Sequence, residues 1–541
     1  MTTVAMPSVH YVVILPEIIF TVAAVGLLVA SSLVRGRLRS SVGTAVTVIA
    51  SVAVVVDCVA QWVDVSRHGP STTMAHVIIE DGFSVVAILI LAVSLGLSAL
   101  IADGWLNRER IEGVELHVLS LASVAGAVMM AQANDLVVIF LGLEIMSIGL
   151  YVLAAFDRRS ARSGEAALKY FLLGGFSSAI FVYGIALVYG ATGTTQLGQL
   201  ADFLATNVLR SQGLLLAGTA LLLIGFAFKV AAVPFHAWSP DVYEGSPTPV
   251  VGFMAAIVKV GAFAAVLRVL VSGLFTQQDG WRPMVFALAV LSMLVGAGMA
   301  AVQRNVKRML AYSSISHAGF VLLALWAASP SGTAAALYYL AAYSLLVIGS
   351  FAVVTVVCAE GREDLTSFKG LAQRRPLLAA SFTVLLLAQA GVPFTTGFLA
   401  KLAVIESAIE HLGAPGVALG VVAMLATAIS GYFYLRVVVL MYAKRTATEP
   451  STQDAAMAVP ASPQAARLAA VGAGILLEDA RDGATVDHTE ELGAAAALED
   501  APIPLATAVA IAACVVPTVV LGVWAGPLVE LTSRATMLFH P

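Results

Sequence analysis

Apolar runs of about twenty residues follow one another along almost the whole chain, each closed by a short stretch rich in Gly, Pro, Arg or Asp. A helix of about 20 residues rises about 30 Å, the thickness of the hydrocarbon core of a bilayer. The pattern predicts fourteen spans, near 12–34, 42–63, 83–101, 114–133, 136–156, 165–190, 213–236, 249–271, 284–302, 310–328, 334–357, 377–404, 416–441 and 506–529. The fold class expected is an all-α polytopic membrane protein. The first run is too long for a signal-peptide core, lacks a basic segment before it and ends in Arg35, Arg37 and Arg39, so it is expected to stay in the membrane as a span.

The chain has 541 residues, of which 60% are hydrophobic and 11% charged. That apolar share, with a mean hydropathy of +0.93, is too high for a soluble domain. The net charge of -4 is not gathered into a basic tail, so nucleic acid is not expected as a partner. Cys58, Cys358 and Cys514 stand far apart with no CxxC, which leaves no case for zinc, an iron-sulfur cluster or a disulfide framework. No GxGxxG or Walker pattern is present, so hydride transfer and ATP hydrolysis are not expected of this chain. Charge also sets the orientation, because loops on the cytoplasmic side retain Lys and Arg. Loops after the odd-numbered spans hold 19 basic residues and the other set, with the termini, holds 4. Both termini are therefore expected outside the cytoplasm.

The chain also repeats itself. Val233-Pro234-Phe235 recurs as Val392-Pro393-Phe394; Gly252 and Arg268 recur as Gly420 and Arg436; Gly149 and the apolar residues after it match Gly319 and its followers. Corresponding elements lie five spans apart, and five is odd, so the two units must cross the membrane in opposite directions. Inverted repeats that each contain a broken helix are typical of ion-coupled transport folds. The division expected is an N-terminal three-helix segment at 1–113, a first repeat at 114–271, a second at 284–441, an acidic insertion at 444–501 and a C-terminal span at 502–541. The insertion carries ten acids against four basic residues, and is expected to be a partly disordered cytoplasmic loop.

Only six basic residues fall within spans: Lys169, Lys229, Lys259, Arg268, Lys401 and Arg436. A lysine at mid-bilayer costs about 2.5 to 3.5 kcal/mol on insertion scales, which makes Lys229, Lys259 and Lys401 candidates for handling protons or ions. Glu144, near the middle of its span, is expected to face Lys229 as a pair of adjustable strength. The alternative is a fixed salt bridge between helices. Lys259 shares a helix face with Gly252, Ala255 and Ala262, and the small side chains leave either close packing or room for water. For the lysines, permanent charge paired to acids is the competing reading. Lys401 follows the second break, four residues after Gly397, with Glu406 as a possible neighbour nearer the surface. Lys169 follows Glu165 by four, and snorkelling explains it as well as transport does. His317, with Ser313 and Ser316, is either a proton relay or a packed neutral histidine. His236 sits at the first break. Arg268 and Arg436 are expected to contact headgroups or loops, and Glu17 and Asp57 are assigned nothing.

With LEIMSIGLYVL around Glu144, GFAFKVAAVPFHAWSPDVYEGSPTPVVGFMAAIVKV with Lys229 and Lys259, KRMLAYSSISHAGF with His317, and GVPFTTGFLAK with Lys401, the chain resembles the antiporter-like membrane subunits of the bacterial proton-pumping NADH-quinone oxidoreductase, respiratory complex I, and among them the subunit N family. The resemblance covers about residues 10–441 and 504–530. It implies a charged axis for protons at Glu144, Lys229, Lys259 and Lys401, and less directly at Lys169 and His317, driven by quinone reduction elsewhere in a complex in the bacterial cell membrane. It further implies no cofactor or metal in this chain, with FMN, iron-sulfur clusters and quinone held by partner subunits, membrane and peripheral. The acidic insertion departs from the compact connection usual in the family. Two rivals remain open: a subunit of a multisubunit sodium/proton antiporter, which shares the fold, and a scaffold whose charges only hold subunits together.

Overall fold

The computed structural model of the chain describes residues 9–34, 38–208, 211–358, 363–444, 502–535 and 537. The expected acidic insertion lies outside the described residues except for Lys444. The first part of the chain comprises α1 (Leu15–Leu33), α2 (Ser40–His68), a hairpin of β1 (Ser71–Thr73) and β2 (Ile78–Glu80), α3 (Gly82–Arg108), α4 (Glu115–Gln132), α5 (Leu136–Ala154), α6 (Ala161–Thr192) and the short α7 (Leu197–Thr206). There follow α8 (Gln212–Lys229), α9 (Trp238–Gly245), α10 (Thr248–Leu267), α11 (Gln278–Ala301), α12 (Val306–Ala327) and α13 (Pro330–Val357). The last part holds α14 (Leu371–Arg374), α15 (Pro376–Ala390), α16 (Thr396–Leu412), α17 (Ala414–Tyr442), α18 (Leu505–Val523) and α19 (Gly526–Ser533). Thirteen of the described helices are long and apolar enough to cross a membrane. The remaining expected span, 377–404, twelfth in order, is a pair of shorter helices, α15 and α16, meeting at the expected break.

Local chemistry sets where these helices begin. Asp81 caps α3 by accepting from Ser84 N, Asp135 accepts from Val137 N and Val138 N at the start of α5, and Asn305 does the same for Lys307 N and Arg308 N at α12. Each side chain satisfies amides that have no partner within the helix, a need made acute by the scarcity of water near a bilayer. Asp135 and Asn305 are 170 residues apart and play one part in two places.

The same offset governs packing. A Cβ added at Gly126 would lie 2.5 Å from both Gly142 O and Met146 N, and one at Gly296 would lie 2.5 Å from Ser316 N and 2.9 Å from Tyr312 O. Helices α4 and α5 therefore meet as α11 and α12 do, through counterpart residues. Glycine at these positions lets the backbones touch, as is usual where helices associate in lipid. The fold is thus two five-helix units of antiporter-like form, inverted because an odd number of crossings separates each helix from its counterpart. At the centre lie α10, all of whose residues are buried, and α12, buried except for Arg308. Leu168, Phe171, Leu172 and Phe176 of α6 are exposed, as a lipid-facing surface requires.

Candidate functional site

The first break begins immediately after Lys229. Helix α8 stops there, Ala231 takes a positive φ of 57°, the Val233–Pro234 peptide is cis, and the chain resumes as α9. Polar backbone freed by the break is taken up by other helices and by the break itself. Val233 N donates to Ser292 Oγ on α11 at 2.9 Å, and Trp238 Nε1 donates to Phe228 O at 2.9 Å. This meets the rule that non-helical backbone at membrane depth must find protein or water.

Lys229 is 1% exposed, and its Nζ donates to Ser147 Oγ at 2.7 Å and Tyr151 OH at 3.1 Å, both on α5. The direct Glu144–Lys229 pair expected from the sequence is not formed: among the described residues no ion pair within 4.0 Å joins them. Glu144 is only partly buried and accepts a hydrogen bond from Ser178 on α6. Glu144, Ser147 and Tyr151 stand at i, i+3 and i+7 on α5, the carboxylate bonded to α6 and the two hydroxyls to Lys229. Ser147, one turn from Glu144 on α5, is a residue that the ammonium bonds in its place.

Lys259, 3% exposed, donates to Ser314 Oγ at 2.5 Å. Tyr343 OH donates to the same Ser314 Oγ at 2.7 Å, and the ammonium lies 5.9 Å from the Tyr343 ring centroid. Ser314 is the counterpart of Glu144 at an offset of 170, so a hydroxyl occupies in the second unit the place a carboxylate occupies in the first.

His317 lies one turn further along α12 and is 7% exposed. Its Nδ1 is 2.7 Å from Tyr339 OH and its Nε2 is 3.3 Å from Tyr434 OH. Tyr434 OH also bonds to Ser313 Oγ and to Gln389 Oε1 at 3.1 Å, and Gln389 Nε2 donates to Ser350 Oγ at 2.7 Å. A hydrogen-bonded net thus runs from α12 through α17 to α15 and α13. Lys401, 5% exposed, donates to Ala390 O at 3.0 Å and lies 5.0 Å from the Phe320 ring centroid. In sequence, Lys229 precedes its break and Lys401 follows its own. In space both belong to the end of a half-helix, since Lys229 is the last residue of α8 and Ala390 the last of α15. The carbonyl end of a helix favours a cation.

The remaining candidates fall elsewhere. Lys169 forms the expected pair with Glu165 at 2.8 Å, adds Asp241 on α9 at 3.0 Å, and is 43% exposed at its side chain, so it stands apart from the buried row. Asp241 also pairs with Arg308 at 2.8 Å, which ties α9 to both units. Glu406 is exposed and does not pair with Lys401. His236 is half-buried in the break, and its Nδ1 has no hydrogen-bond partner.

Of the two contacts expected for Arg268, it makes the loop contact and not the headgroup one. Its side chain is 1% exposed and reaches no headgroup; it forms a fork with Asp81, Nη1 to Oδ2 at 3.0 Å and Nη2 to Oδ1 at 2.7 Å, while Nε donates to Ala131 O at 2.6 Å. Asp81, in the connection between β2 and α3, is the loop residue brought over it. Its repeat partner Arg436 donates to Ala301 O at 3.3 Å and Gln303 O at 3.2 Å, a loop contact as expected. Ala131 and Ala301 are again 170 residues apart.

Sequence reasoning missed the neutral partners. Ser147, Tyr151, Tyr339, Tyr343, Gln389 and Tyr434 are all buried polar residues within spans, and that was the available signal, since a polar group in hydrocarbon must find a partner. Which partner each finds depends on helix packing.

Residues 133–430 match the sequence profile of the family described as NADH:quinone oxidoreductase/Mrp antiporter, TM. The chain is 41% identical over 435 residues to NADH-quinone oxidoreductase subunit N of Trichlorobacter lovleyi, a match covering 80% of this chain and 87% of that one. It is 40% identical to subunit N 3 of Streptomyces griseus, over 87% of this chain and 91% of that one. Among solved structures, a chain of respiratory complex I from Thermus thermophilus with bound aureothin is 30% identical, with a TM-score of 0.72 over 96% of this chain and 100% of that one. A chain of the Mrp complex from Dietzia sp. DQ12-45-1b shares the fold, with a TM-score of 0.76 at 23% identity over 97% of this chain and 96% of that one. With the family's profile across more than half its length, and relatives of that name along most of it, the chain belongs to the NADH-quinone oxidoreductase subunit N family of antiporter-like membrane proteins.

Proposed function

We propose that this chain moves protons from the cytoplasm to the outside along Glu144, Lys229, Lys259, His317 and Lys401, driven by quinone reduction in partner subunits of a respiratory complex in the bacterial cell membrane. Residues 114–271 and 284–441 are the two repeats that carry the path, Lys169 serves its cytoplasmic side, and both termini lie outside. This chain is a non-redox subunit; FMN, iron-sulfur clusters and quinone belong to its partners.

One observation carries the reading. Three lysines that are 1%, 3% and 5% exposed have their Nζ atoms bonded only to neutral acceptors, and among the described residues none has a carboxylate within 4.0 Å. A fixed salt bridge would hold a lysine charged, whereas hydroxyl and carbonyl partners leave its charge free to respond to neighbours. Glu144, partly exposed on α5 one turn from the Ser147 that bonds Lys229, would pass on a charge change from outside the chain. Moving one proton against 100 mV needs about 2.3 kcal/mol. That equals about 1.7 pK units, within the range that burial and neighbouring charge produce.

The test is Lys229→Ala in the assembled complex in proteoliposomes. Assembly and electron transfer are expected to survive while NADH-driven acidification is lost. Normal pumping would leave only the scaffold role. A requirement for sodium would favour the antiporter role instead.

A further inference from the structure

Arg268 and Arg436 are repeat counterparts, and each holds a counterpart carbonyl: Arg268 bonds Ala131 O and Arg436 bonds Ala301 O. They differ in what balances the charge. Arg268 has its fork with Asp81, whereas among the described residues no carboxylate lies within 4.0 Å of Arg436. Both loop contacts of Arg436 are made by Nη1, which leaves Nη2 and Nε without a partner among those residues. A guanidinium is not deprotonated in a protein, so this one is half-buried and charged with no acid beside it.

Arg436 instead lines a groove of about 850 Å³. Arg304, exposed in the connection between α11 and α12, lines the same groove and likewise has no acid within 4.0 Å among the described residues. Asp364 is the single acid in the lining, so the two arginines leave a surplus of positive charge. Most of the remaining wall is apolar. Tyr432, Leu435 and Val439 of α17 are all exposed and stand at i, i+3 and i+7, on one face of the helix. That stripe runs about 10 Å along α17, and Leu425 and Val421, also exposed, prolong the same face toward mid-membrane. The groove lies at the ends of α11 and α17 that the charge bias marks as cytoplasmic.

We propose that this groove binds an anionic phospholipid of the cytoplasmic leaflet, its phosphate on Arg304 and Arg436 and one acyl chain along the α17 stripe. The planar fork of arginine suits phosphate oxygens, and basic pockets on the cytoplasmic side of membrane spans take anionic headgroups. Asp364 favours a headgroup that also donates a hydrogen bond, as the glycerol hydroxyls of phosphatidylglycerol do. The lipid phosphate thus does for Arg436 what the Asp81 carboxylate does for Arg268. A soluble anion satisfies the arginines but leaves the apolar stripe uncovered.

The test places a photo-crosslinking residue at position 432 of the assembled complex, in bilayers holding traces of radiolabelled phosphatidylglycerol or of phosphatidylcholine with the same chains. Label in this subunit is expected to be at least roughly fivefold higher from phosphatidylglycerol, the effect of one net basic group beside an anionic headgroup. Arg304→Gln combined with Arg436→Gln is expected to bring the two lipids level, and excess inorganic phosphate is expected to leave the preference intact. Equal labelling with both arginines present, a preference that survives the double variant, or one erased by inorganic phosphate overturns the proposal. So does cross-linking to a partner subunit or to residues 445–501 of this chain in place of lipid. Should the double variant fail to assemble, Arg304→Gln alone decides, since Arg304 is exposed: the preference is expected to fall, and an unchanged preference overturns the proposal. The label reports lipid and not pumping, so its outcome is independent of whether the chain moves protons.

Discussion

Replacing Asp81 with Asn tests the buried ion pair directly. Asn is as good a helix cap as Asp, so the bond to Ser84 N at the start of α3 survives and only the charge is lost. The Arg268 guanidinium, 1% exposed, then keeps its bond to Ala131 O but has no counter-charge in its fork. Removing one partner of a buried pair costs about 3 to 5 kcal/mol. At about 1.4 kcal/mol per tenfold, the unfolding constant should rise by a factor of roughly 100 to several thousand. Arg268→Met should cost a similar amount, because it strands the Asp81 carboxylate. The double variant carries neither charge and should recover most of the loss, leaving a coupling of at least about 2 kcal/mol. Unfolding of the full chain by a denaturing detergent in mixed micelles, followed by circular dichroism, measures all four corners. If the two single effects add within about 0.5 kcal/mol, the pair is not a working contact and the argument is refuted.

Other expectations follow from the same contacts. Tyr434→Phe removes the hydroxyl that joins His317, Ser313 and Gln389, and should lower proton pumping in proteoliposomes while electron transfer and assembly stay normal. Ser314→Ala withdraws the hydroxyl shared by Lys259 and Tyr343; pumping should fall more than for Ser350→Ala, and equal values would count against a special role for Ser314. Gly296→Ala and Gly126→Ala place a methyl against backbone at 2.5 Å, and each should destabilise by about 1 to 3 kcal/mol in the same detergent titration. Arg308→Gln loosens a partly exposed cluster with Asp241 and Glu244, so stability should change by at most about 1 kcal/mol.

Much of this molecule is legible along the line of the chain. Apolar runs set the spans because a bilayer admits little else, and the odd spacing between repeated motifs fixes inversion by counting alone. Lys229, Lys259 and Lys401 stand out in sequence because charge in hydrocarbon is costly wherever its partners lie. The half-helix α15 and its break were foreshadowed by Gly391, Pro393 and Gly397, although the run looked continuous by hydropathy.

What each buried charge touches was decided only in three dimensions. Lys259 finds Ser314, 55 positions away, and Arg268 finds Asp81, 187 positions away; no periodicity selects either. Glu144 and Lys229 looked like a pair because opposite charges in hydrocarbon attract, but α5 presents Ser147 and Tyr151 to the lysine and turns the carboxylate toward α6. The cost of burying a polar group is a property of its type, and sequence carries it. The partner that meets that cost is a property of which helices pack, through glycine contacts such as Gly126 on Gly142, and only the assembled fold supplies it.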